Sequence, residues 1–198
     1  MLMTSCAFCL LSLLLSASAA VAAAPELPRA YVDTTYALPA GGVLRAANTG
    51  PEFQAALNAA QLGDIIELKA GTVYQGPFML PNKTGAGWIY IRSSAYASLP
   101  APGNRVSPAQ AGLMAKIVSG SGSSAITAAA GAHHYRVIGI EAAPPANAFI
   151  DNLIMLGYGN EATAAQQPHH IIFDRCYVHG DPAKGGRRGF ALNGVHMA

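Results

Sequence analysis

The chain has 198 residues, a formal net charge of +2 and only 11% charged residues. The length favours a single domain, and the scattered, nearly balanced charge argues against nucleic acid as a partner. The three cysteines show none of the Cys/His spacings of zinc modules, which argues against a structural zinc domain.

The first 24 residues have the pattern of a secretory signal peptide. An apolar run from Phe8 to Leu15 is followed by two Ala-x-Ala sequences, Ala17-Ser18-Ala19 and Ala20-Val21-Ala22. The run is too short to cross a bilayer, which takes roughly 20 apolar residues. No Lys or Arg precedes the run, so a buried N-terminal helix is the alternative. The pattern favours a signal peptide over residues 1–24 and a secreted, periplasmic or cell-surface protein without membrane attachment after cleavage.

Cleavage would leave a single cysteine in the mature chain. Cys6 and Cys9 lie in the leader, whereas Cys176 lies in an apolar run. A lone cysteine in such a run is typically a small buried apolar residue. We therefore predict neither a disulfide nor a cysteine nucleophile.

Residues 25–48 are rich in Pro, Gly and Ala and are predicted to form an extended lead-in. A helix is predicted from Gly50 to Leu62, with Thr49 as its N-cap, Glu52 completing a capping box and Gly63 ending it. Its apolar residues recur at helical spacing on one face: Phe53, Ala56, Leu57 and Ala60. Because this face needs a partner, we expect Phe53 and Leu57 to be buried against Ile65–Leu68.

From Asp64 onward, helix signals give way to short runs rich in Ile, Val, Tyr and Phe, separated by Gly, Asn, Pro and Ser. These runs are not joined by two-residue Asn-Gly turns, which argues against an antiparallel meander. The predicted strands are Ile65–Leu68, Gln75–Leu80, Trp88–Ser93, Ala115–Gly120, Tyr135–Ala142, Asn152–Gly157, Ile171–Gly180 and Gly189–Asn193.

An internal repeat relates two of these runs. The sequence "HYRVIGIEA" (His134–Ala142) matches "HIIFDRCYV" (His170–Val178) after a shift of 36 residues. The shift places Val137 on Phe173, Ile140 on Cys176, Ala142 on Val178 and Gly139 on Arg175. Stacked repeats of this kind form the parallel sheets of a solenoid. The break at Gly139 and Arg175 is predicted to be the bend between two sheets.

About the same shift places "NLIMLG" (Asn152–Gly157) on "GFALNG" (Gly189–Gly194), and "AKIVSG" (Ala115–Gly120) fits the same position one repeat earlier. These three runs are predicted to share one sheet. The alternative is an α/β domain with crossover helices. It requires helical periodicity between the strands, and the connecting segments are instead rich in Pro, Gly and Ala.

Two segments resemble a known superfamily. The stretch "FQAALNAAQLGDIIELKAGTVYQGPFML" (Phe53–Leu80), followed by "GWIYIRSSA", and the later phrase "IIFDRCYVHG" resemble pectate-lyase-like right-handed parallel β-helices. The resemblance implies an all-β, right-handed parallel β-helix (solenoid) with a short N-terminal capping α-helix, its first coils spanning residues 49–198. Because "NGVHMA" ends within a coil and no capping element follows, we expect an incomplete domain with catalytic residues beyond Ala198.

The resemblance implies a secreted protein that acts on polysaccharide. A lyase, or else a hydrolase, of acidic polysaccharide such as pectate or alginate is favoured, and a non-catalytic carbohydrate-binding or adhesin-type β-helix is the alternative. Lyases of this superfamily neutralise the uronate carboxylate either with Ca²⁺ held by Asp and Glu or with polar side chains, so the resemblance allows Ca²⁺ as a cofactor but does not require it. The strands predicted for the outward sheet carry Lys116, Asn152 and Asn193 but no carboxylate. The catalytic residues and the oligomeric state therefore stay unassigned.

The loop "HGDPAKGGRR" is the densest polar segment of the chain. Arg187 and Arg188 can clamp substrate carboxylates, with His179 as a base, Asp181 as its partner or as a cation ligand, and Lys184 as a further cation. We predict these five residues as a substrate-binding site. The alternative is a solvated loop with Gly-Gly and Asp-Pro turns.

Two histidine pairs, His133-His134 and His169-His170, lie one repeat apart. Stacked histidines can bind a metal, but the repeat favours turn residues, and no metal site is predicted. Trp88 and Tyr90 can stack on a sugar, although aromatic residues of a first coil are more often core.

Overall fold

The computed structural model describes residues 39, 41–120 and 122–194. The predicted signal peptide and most of the lead-in lie outside these residues. Among the described helices, none has the length and apolar content to cross a membrane.

The described residues form one α-helix, three short 3-10 helices and thirteen strands. The helix α1 spans Gly50–Ala59, and the 3-10 helices span Tyr96–Ser98, Pro108–Leu113 and Ala164–Gln166. The strands, in chain order, are β1 (Leu44–Ala47), β2 (Ile65–Leu68), β3 (Val73–Gln75), β4 (Phe78–Leu80), β5 (Ile89–Ser93), β6 (Ala115–Val118), β7 (Ile126–Ala128), β8 (His133–Ile138), β9 (Ile140–Ala143), β10 (Asn152–Leu156), β11 (His169–Asp174), β12 (Tyr177–Val178) and β13 (Arg188–Leu192).

The strands form three parallel sheets. The first sheet has the order β1-β2-β5-β8-β11, the second β12-β9-β6-β3 and the third β13-β10-β7-β4. From β2 onward, consecutive strands belong to the first, second and third sheet in turn. This cyclic order gives an all-β, solenoid-like arrangement of parallel sheets, as predicted. The crossover helices required by the α/β alternative do not occur among the described residues.

The first sheet carries an apolar ladder that runs through four coils. Ile66 pairs with Ile91, Ile91 with Val137 and Val137 with Phe173. The first three side chains are almost completely buried, and Phe173 packs against the same core. The predicted stacking of Val137 on Phe173 is confirmed, and Ala142 lies on Val178 with the same offset.

The predicted bend between the first two sheets is confirmed at both repeats. Gly139 and Arg175 separate β8 from β9 and β11 from β12, with φ values of 64° and 49°. A left-handed backbone is unfavourable for a residue with a Cβ. Arg175 is held there by Asp174 and by the carbonyl of Pro100, to which its guanidinium donates.

Coil corners also explain why three predicted strands each divide into two. The run Gln75–Leu80 is interrupted at Gly76-Pro77, Tyr135–Ala142 at Gly139, and Ile171–Gly180 at Arg175. Each interruption is the point at which the chain leaves one sheet and enters the next.

The prediction that Ala115–Gly120 shares a sheet with the two later runs is wrong. Strand β6 lies in the second sheet, and β7 (Ile126–Ala128) takes the predicted position in the third. The physical reason is that coil length varies: Ala115 pairs with Ile140, 25 residues on, whereas Asn152 pairs with Arg188, 36 residues on. A constant shift of 36 therefore assigns β6 to the wrong sheet.

Helix α1 buries its apolar face as predicted. Phe53 and Leu57 are 1% and 0% exposed, and the Phe53 ring lies 4.6 Å from that of Phe78. The Thr49 hydroxyl accepts from the Glu52 amide at 3.3 Å, as expected of an N-cap. The Glu52 carboxylate, however, accepts from the Asn48 amide at 2.7 Å, one residue before the predicted position.

The end of the helix and the start of the first sheet both differ from the predicted boundaries. The helix ends at Ala59, before Gly63, because Ala60 already has an extended backbone. Strand β1 pairs with β2, so the first sheet begins inside the segment expected to be an extended lead-in.

Candidate functional site

A row of polar side chains crosses the second sheet. Lys116 on β6 pairs with Glu141 on β9, and Glu141 pairs with Tyr177 on β12. Their neighbours Ile117 and Ala142 are core residues. Because side chains alternate along a strand, the row lies on the face opposite the core.

The Glu141 carboxylate binds Lys116 and His179 through one oxygen. Its Oε1 lies 2.7 Å from Lys116 Nζ and 3.0 Å from His179 Nε2. Burial raises the pKa of Glu141, but the hydrogen bonds from Lys116 and His179 outweigh it, so the pKa lies below its ordinary value of 4.5. Glu141 is therefore ionised at neutral pH although it is only 6% exposed.

His179 is fixed through both ring nitrogens and one ring face. Its Nδ1 lies 2.8 Å from the Gly180 carbonyl oxygen, and its ring stacks on Tyr177 with centroids 4.3 Å apart. Since Nε2 also faces an oxygen, of Glu141, both ring nitrogens are placed to donate. These three contacts hold the ring in one orientation.

An open cleft of about 490 Å³ lies beside this cluster. Lys116 and His179 line it, together with Gln75 at the end of β3. The segments Pro144–Ala146 and Gly180–Pro182 also line it. The cleft therefore presents Lys116 and His179 beside a proline-rich loop and the loop that follows β12.

Asp181 is not the hydrogen-bond partner of His179, which was one of its two predicted roles. Its carboxylate accepts hydrogen bonds from the backbone amides of Asn147, Ala183 and Lys184 at 2.8–2.9 Å. These bonds, that from Lys184 foremost, lower the pKa of Asp181 below its ordinary value. Asp181 thus stabilises the turn that forms the wall of the cleft.

The three predicted cations of the loop are exposed. Arg187 is 3.7 Å from Asp151, and Arg188 opens β13 with its guanidinium 3.5 Å from the Asn193 side chain. Arg188 and His179 both line a pocket of about 40 Å³. The structure thus brings His179 close to Asp181 in the cleft and to Arg188 in this pocket. Lys184 and Arg187 line neither of them.

Sequence reasoning missed Glu141, Lys116 and Tyr177 as a group. The prediction placed Lys116 in the third sheet. It lies in the second sheet, where Glu141 pairs with it, so the conclusion that its sheet carries no carboxylate is wrong. The repeat itself carried the signal, because the 36-residue shift that places Ala142 on Val178 also places Glu141 on Tyr177.

The histidine pairs lie at the start of β8 and β11 in the first sheet and form two stacks. His133 stacks on His169 with centroids 4.9 Å apart, and His134 stacks on His170 at 4.6 Å, both within 5° of parallel. Burial and then the neighbouring histidines lower the pKa of His134 to about 4. The Trp88 ring lies 4.9 Å from that of His134.

The core roles predicted for Tyr90 and Cys176 agree with the structure, whereas that of Trp88 does not. Tyr90 is 2% exposed, and Trp88 is half-buried and packs against His134. Cys176 is half-buried and packs against the core, and burial raises the pKa of its thiol to about 12. A thiol with this pKa stays protonated at neutral pH.

The carboxylates of the described residues do not fit the Ca²⁺ site that the resemblance allows. Glu67 pairs with Arg92, Asp174 with Arg136 and Arg175, and Asp64 with Arg45. Over residues 41–120 and 122–194, the only three metal-ligating side chains that meet are histidines. No step of the function proposed below passes through Ca²⁺.

The described part of the chain belongs to the class of all-β proteins built from parallel sheets, with a cleft lined by Lys116 and His179 on the outer face of one sheet. No model of a known protein family matches the chain, and no curated protein matches it. Among solved structures, the chain is similar to an alginate lyase from Paenibacillus sp. str. FPU-7, with 18% identity and a TM-score of 0.42. The match covers 69% of this chain and 44% of that enzyme. A likeness at this level assigns no activity.

Proposed function

We propose that the chain is a secreted right-handed parallel β-helix protein that binds acidic polysaccharide in the cleft beside Lys116 and His179 and cleaves it as a lyase. The observation that carries the proposal is that Lys116 and His179 share one oxygen of Glu141 at 2.7 and 3.0 Å. The cluster holds one carboxylate, one lysine cation and a histidine that adds a second positive charge whenever it is protonated.

This second positive charge supports an anionic ligand. A uronate carboxylate in the cleft would pair with the charge that Glu141 leaves uncompensated. Lys184, Arg187 and Arg188 lie in the loop that contains His179 and would attract a polyanion at longer range. Gln75 lines the cleft and can bond to sugar hydroxyls.

The proposed handedness and capping rest on general rules of β structure. Crossover connections between parallel strands are right-handed in nearly all proteins. The buried face of α1 supports its assignment as the cap of the first coil.

The state of the carboxylates favours a lyase over a hydrolase. Glycoside hydrolysis uses two carboxyl groups on opposite sides of the scissile bond. The two carboxylates at the cleft are already engaged, Glu141 by two side chains and Asp181 by three backbone amides. Neither is left as a nucleophile or a proton donor.

In a lyase reaction, neutralising the uronate carboxylate acidifies the C5 proton. A base then takes this proton, the C4–O4 bond breaks, a C4=C5 double bond forms, and the departing oxygen takes up a proton. Lys116 and His179 suit the first role. We assign no base among the described residues, because Lys116 Nζ is paired with Glu141 and both nitrogens of His179 face oxygen atoms.

The polar groups of these cleft side chains already have hydrogen-bond partners within the protein. This also favours a second candidate, a carbohydrate-binding β-helix that performs no chemistry. Both candidates share the ligand class and differ only in turnover. They therefore share the binding experiment and are separated by the assay for product.

The test uses pectate, alginate and chondroitin as separate ligands. Binding is measured by calorimetry, and cleavage by the ultraviolet absorbance of unsaturated uronate. We expect one polymer to bind and Lys116→Gln to weaken binding about tenfold, the loss of one charge-assisted bond. The matched control is Lys69→Gln, which removes an exposed lysine outside the cleft.

Absorbance from any polymer identifies a lyase. New reducing ends without absorbance would overturn the lyase assignment in favour of a hydrolase. Binding without either product would leave the carbohydrate-binding candidate. If none of the three polymers binds, or if both lysine variants bind like the parent chain, the cleft is not an acidic-polysaccharide site.

A further inference from the structure

The two histidine pairs of the first sheet form a compact cluster that the proposed function does not use. We infer that His134, His169 and His170 form a binding site for a divalent transition metal, with Zn²⁺ as the ion of matching chemistry. The site would link two consecutive coils, because His134 lies on β8 and the other two ligands lie on β11.

The three imidazoles are close enough to share an ion. One ring nitrogen from each lies within 4.8 Å of the other two. Ligand nitrogens of a tetrahedral zinc ion, with bonds of about 2.0–2.1 Å, are about 3.4 Å apart. Side-chain rotations that change the widest of these separations by at most about 1.4 Å would bring the nitrogens to this spacing. Three imidazoles with an open fourth position form a donor set that suits Zn²⁺, Cu²⁺ or Ni²⁺.

The backbone has an unusual conformation at both residues of one histidine stack. His134 and His170 have φ values of 58° and 52°, in the left-handed region. The residues on either side are in parallel register, His133 with His169 and Tyr135 with Ile171. The same left-handed conformation in both coils therefore places His134 directly beside His170, with ring centroids 4.6 Å apart.

Two further side chains support the proposed ligands. His133 Nδ1 lies 2.7 Å from His134 Nδ1, a contact in which one of the two rings donates to the other. A metal-ligating histidine is usually oriented by such a partner through its second nitrogen. Trp88 packs edge-on against His134 and restricts the ring on another side.

The competing explanation is that the histidines are repeated turn residues whose rings merely stack. Left-handed backbone is indeed enriched in histidine. Turn residues, however, need no convergence of nitrogens from three residues. This geometry favours a metal site, which the sequence pattern allowed but did not predict. The two explanations differ in whether Zn²⁺ binds.

The test is calorimetric titration of the tag-free chain with Zn²⁺, in a Cys6→Ser, Cys9→Ser background that removes the leader thiols. We expect saturable binding of one ion per chain. At a free Zn²⁺ concentration about 100 times Kd, the melting temperature should rise by about 5–10 °C. Asparagine tolerates left-handed backbone, so His134→Asn and His170→Asn should fold and bind Zn²⁺ at least about tenfold more weakly.

The matched control is His179→Gln, which removes a histidine in the loop after β12 and should leave Zn²⁺ affinity unchanged. X-ray absorption at the zinc edge of the parent chain gives a readout that does not depend on variant folding. We expect a nitrogen and oxygen shell with imidazole scattering. The proposal is overturned by the lack of saturable binding, by a sulfur shell, or by both asparagine variants binding like the parent.

Discussion

His179 Nε2 lies 3.0 Å from Glu141 Oε1, and this contact joins the loop after β12 to the middle of the second sheet. Because Lys116 Nζ reaches the same oxygen, β6, β9 and the loop all depend on one buried carboxylate. The position of both side chains proposed to bind substrate is therefore set by a residue that need not touch substrate itself.

Replacing Glu141 by Gln should destabilise the protein. The change keeps the side-chain shape but removes the charge that pairs with Lys116 and His179, so we expect a loss of about 1–3 kcal/mol at pH 7. Lys116 is about one-third exposed, which makes the loss smaller than for a fully buried pair. The measurement is urea denaturation monitored by circular dichroism.

The same variant should change the pH dependence of stability. The pKa of Glu141 is lower in the folded protein than its ordinary value of 4.5, so its contribution is complete above about pH 5 and is lost as pH falls through the lower, folded value. Between about pH 5 and pH 3, the parent chain should therefore lose more stability than Glu141→Gln. Equal slopes for the two proteins would contradict the ion-pair account.

The apolar ladder of the first sheet allows a matched comparison of two valines. Val137 is fully buried in the ladder, whereas Val73 on β3 is 50% exposed. Val137→Ala removes two buried methyl groups and leaves a cavity, at a cost of about 2 kcal/mol. Val73→Ala should change the free energy of unfolding by less than about 0.5 kcal/mol. Similar losses in both variants would argue against the inward position of Val137.

The bend at Gly139 can be tested against a second glycine. Gly139 and Gly103 both have positive φ values, 64° and 88°. A Cβ at Gly139 would collide with Leu99 Cδ1, whereas a Cβ at Gly103 has nothing within 4 Å. Gly103→Ala should therefore cost only the backbone strain of about 1–2 kcal/mol.

Gly139→Ala should cost a further 1–3 kcal/mol or so, because Leu99 is buried and must shift. Thermal melts of both alanine variants and the parent measure the difference. If Gly103→Ala is the more destabilising of the two, the contact between Leu99 and the bend does not limit this position.

Much of the fold was predictable because the repeat fixes the register directly. Val137, Phe173, Gly139 and Arg175 took their predicted places, since each pair is related by the one shift that the sequence displays. Strand β7 was not predictable in this way. Its three residues, Ile126–Ala128, lie in an Ala- and Ser-rich stretch where neither side-chain size nor alternation marks a strand.

The candidate site was less predictable than the fold. His179 and Asp181 were found because they stand together in a polar loop, but the side chain that binds His179 is Glu141, 38 residues earlier. That contact depends on which sheet each strand joins and on how the loop returns to it. The convergence of His134 with His170 likewise depends on backbone conformation, since both have positive φ.

The coils differ in length, yet the register of the stacked strands does not change with coil length. In most folds these two properties are coupled. In the first sheet, successive strands pair over 25, 46 and 36 residues, yet the ladder from Ile66 to Phe173 keeps its register. The added residues lie in connections such as 94–114, outside the three sheets. Loop-closure entropy grows only slowly with length, so inserting residues there should cost little stability. New surface chemistry can therefore be acquired at the corners of a coil while the core sequence stays constant.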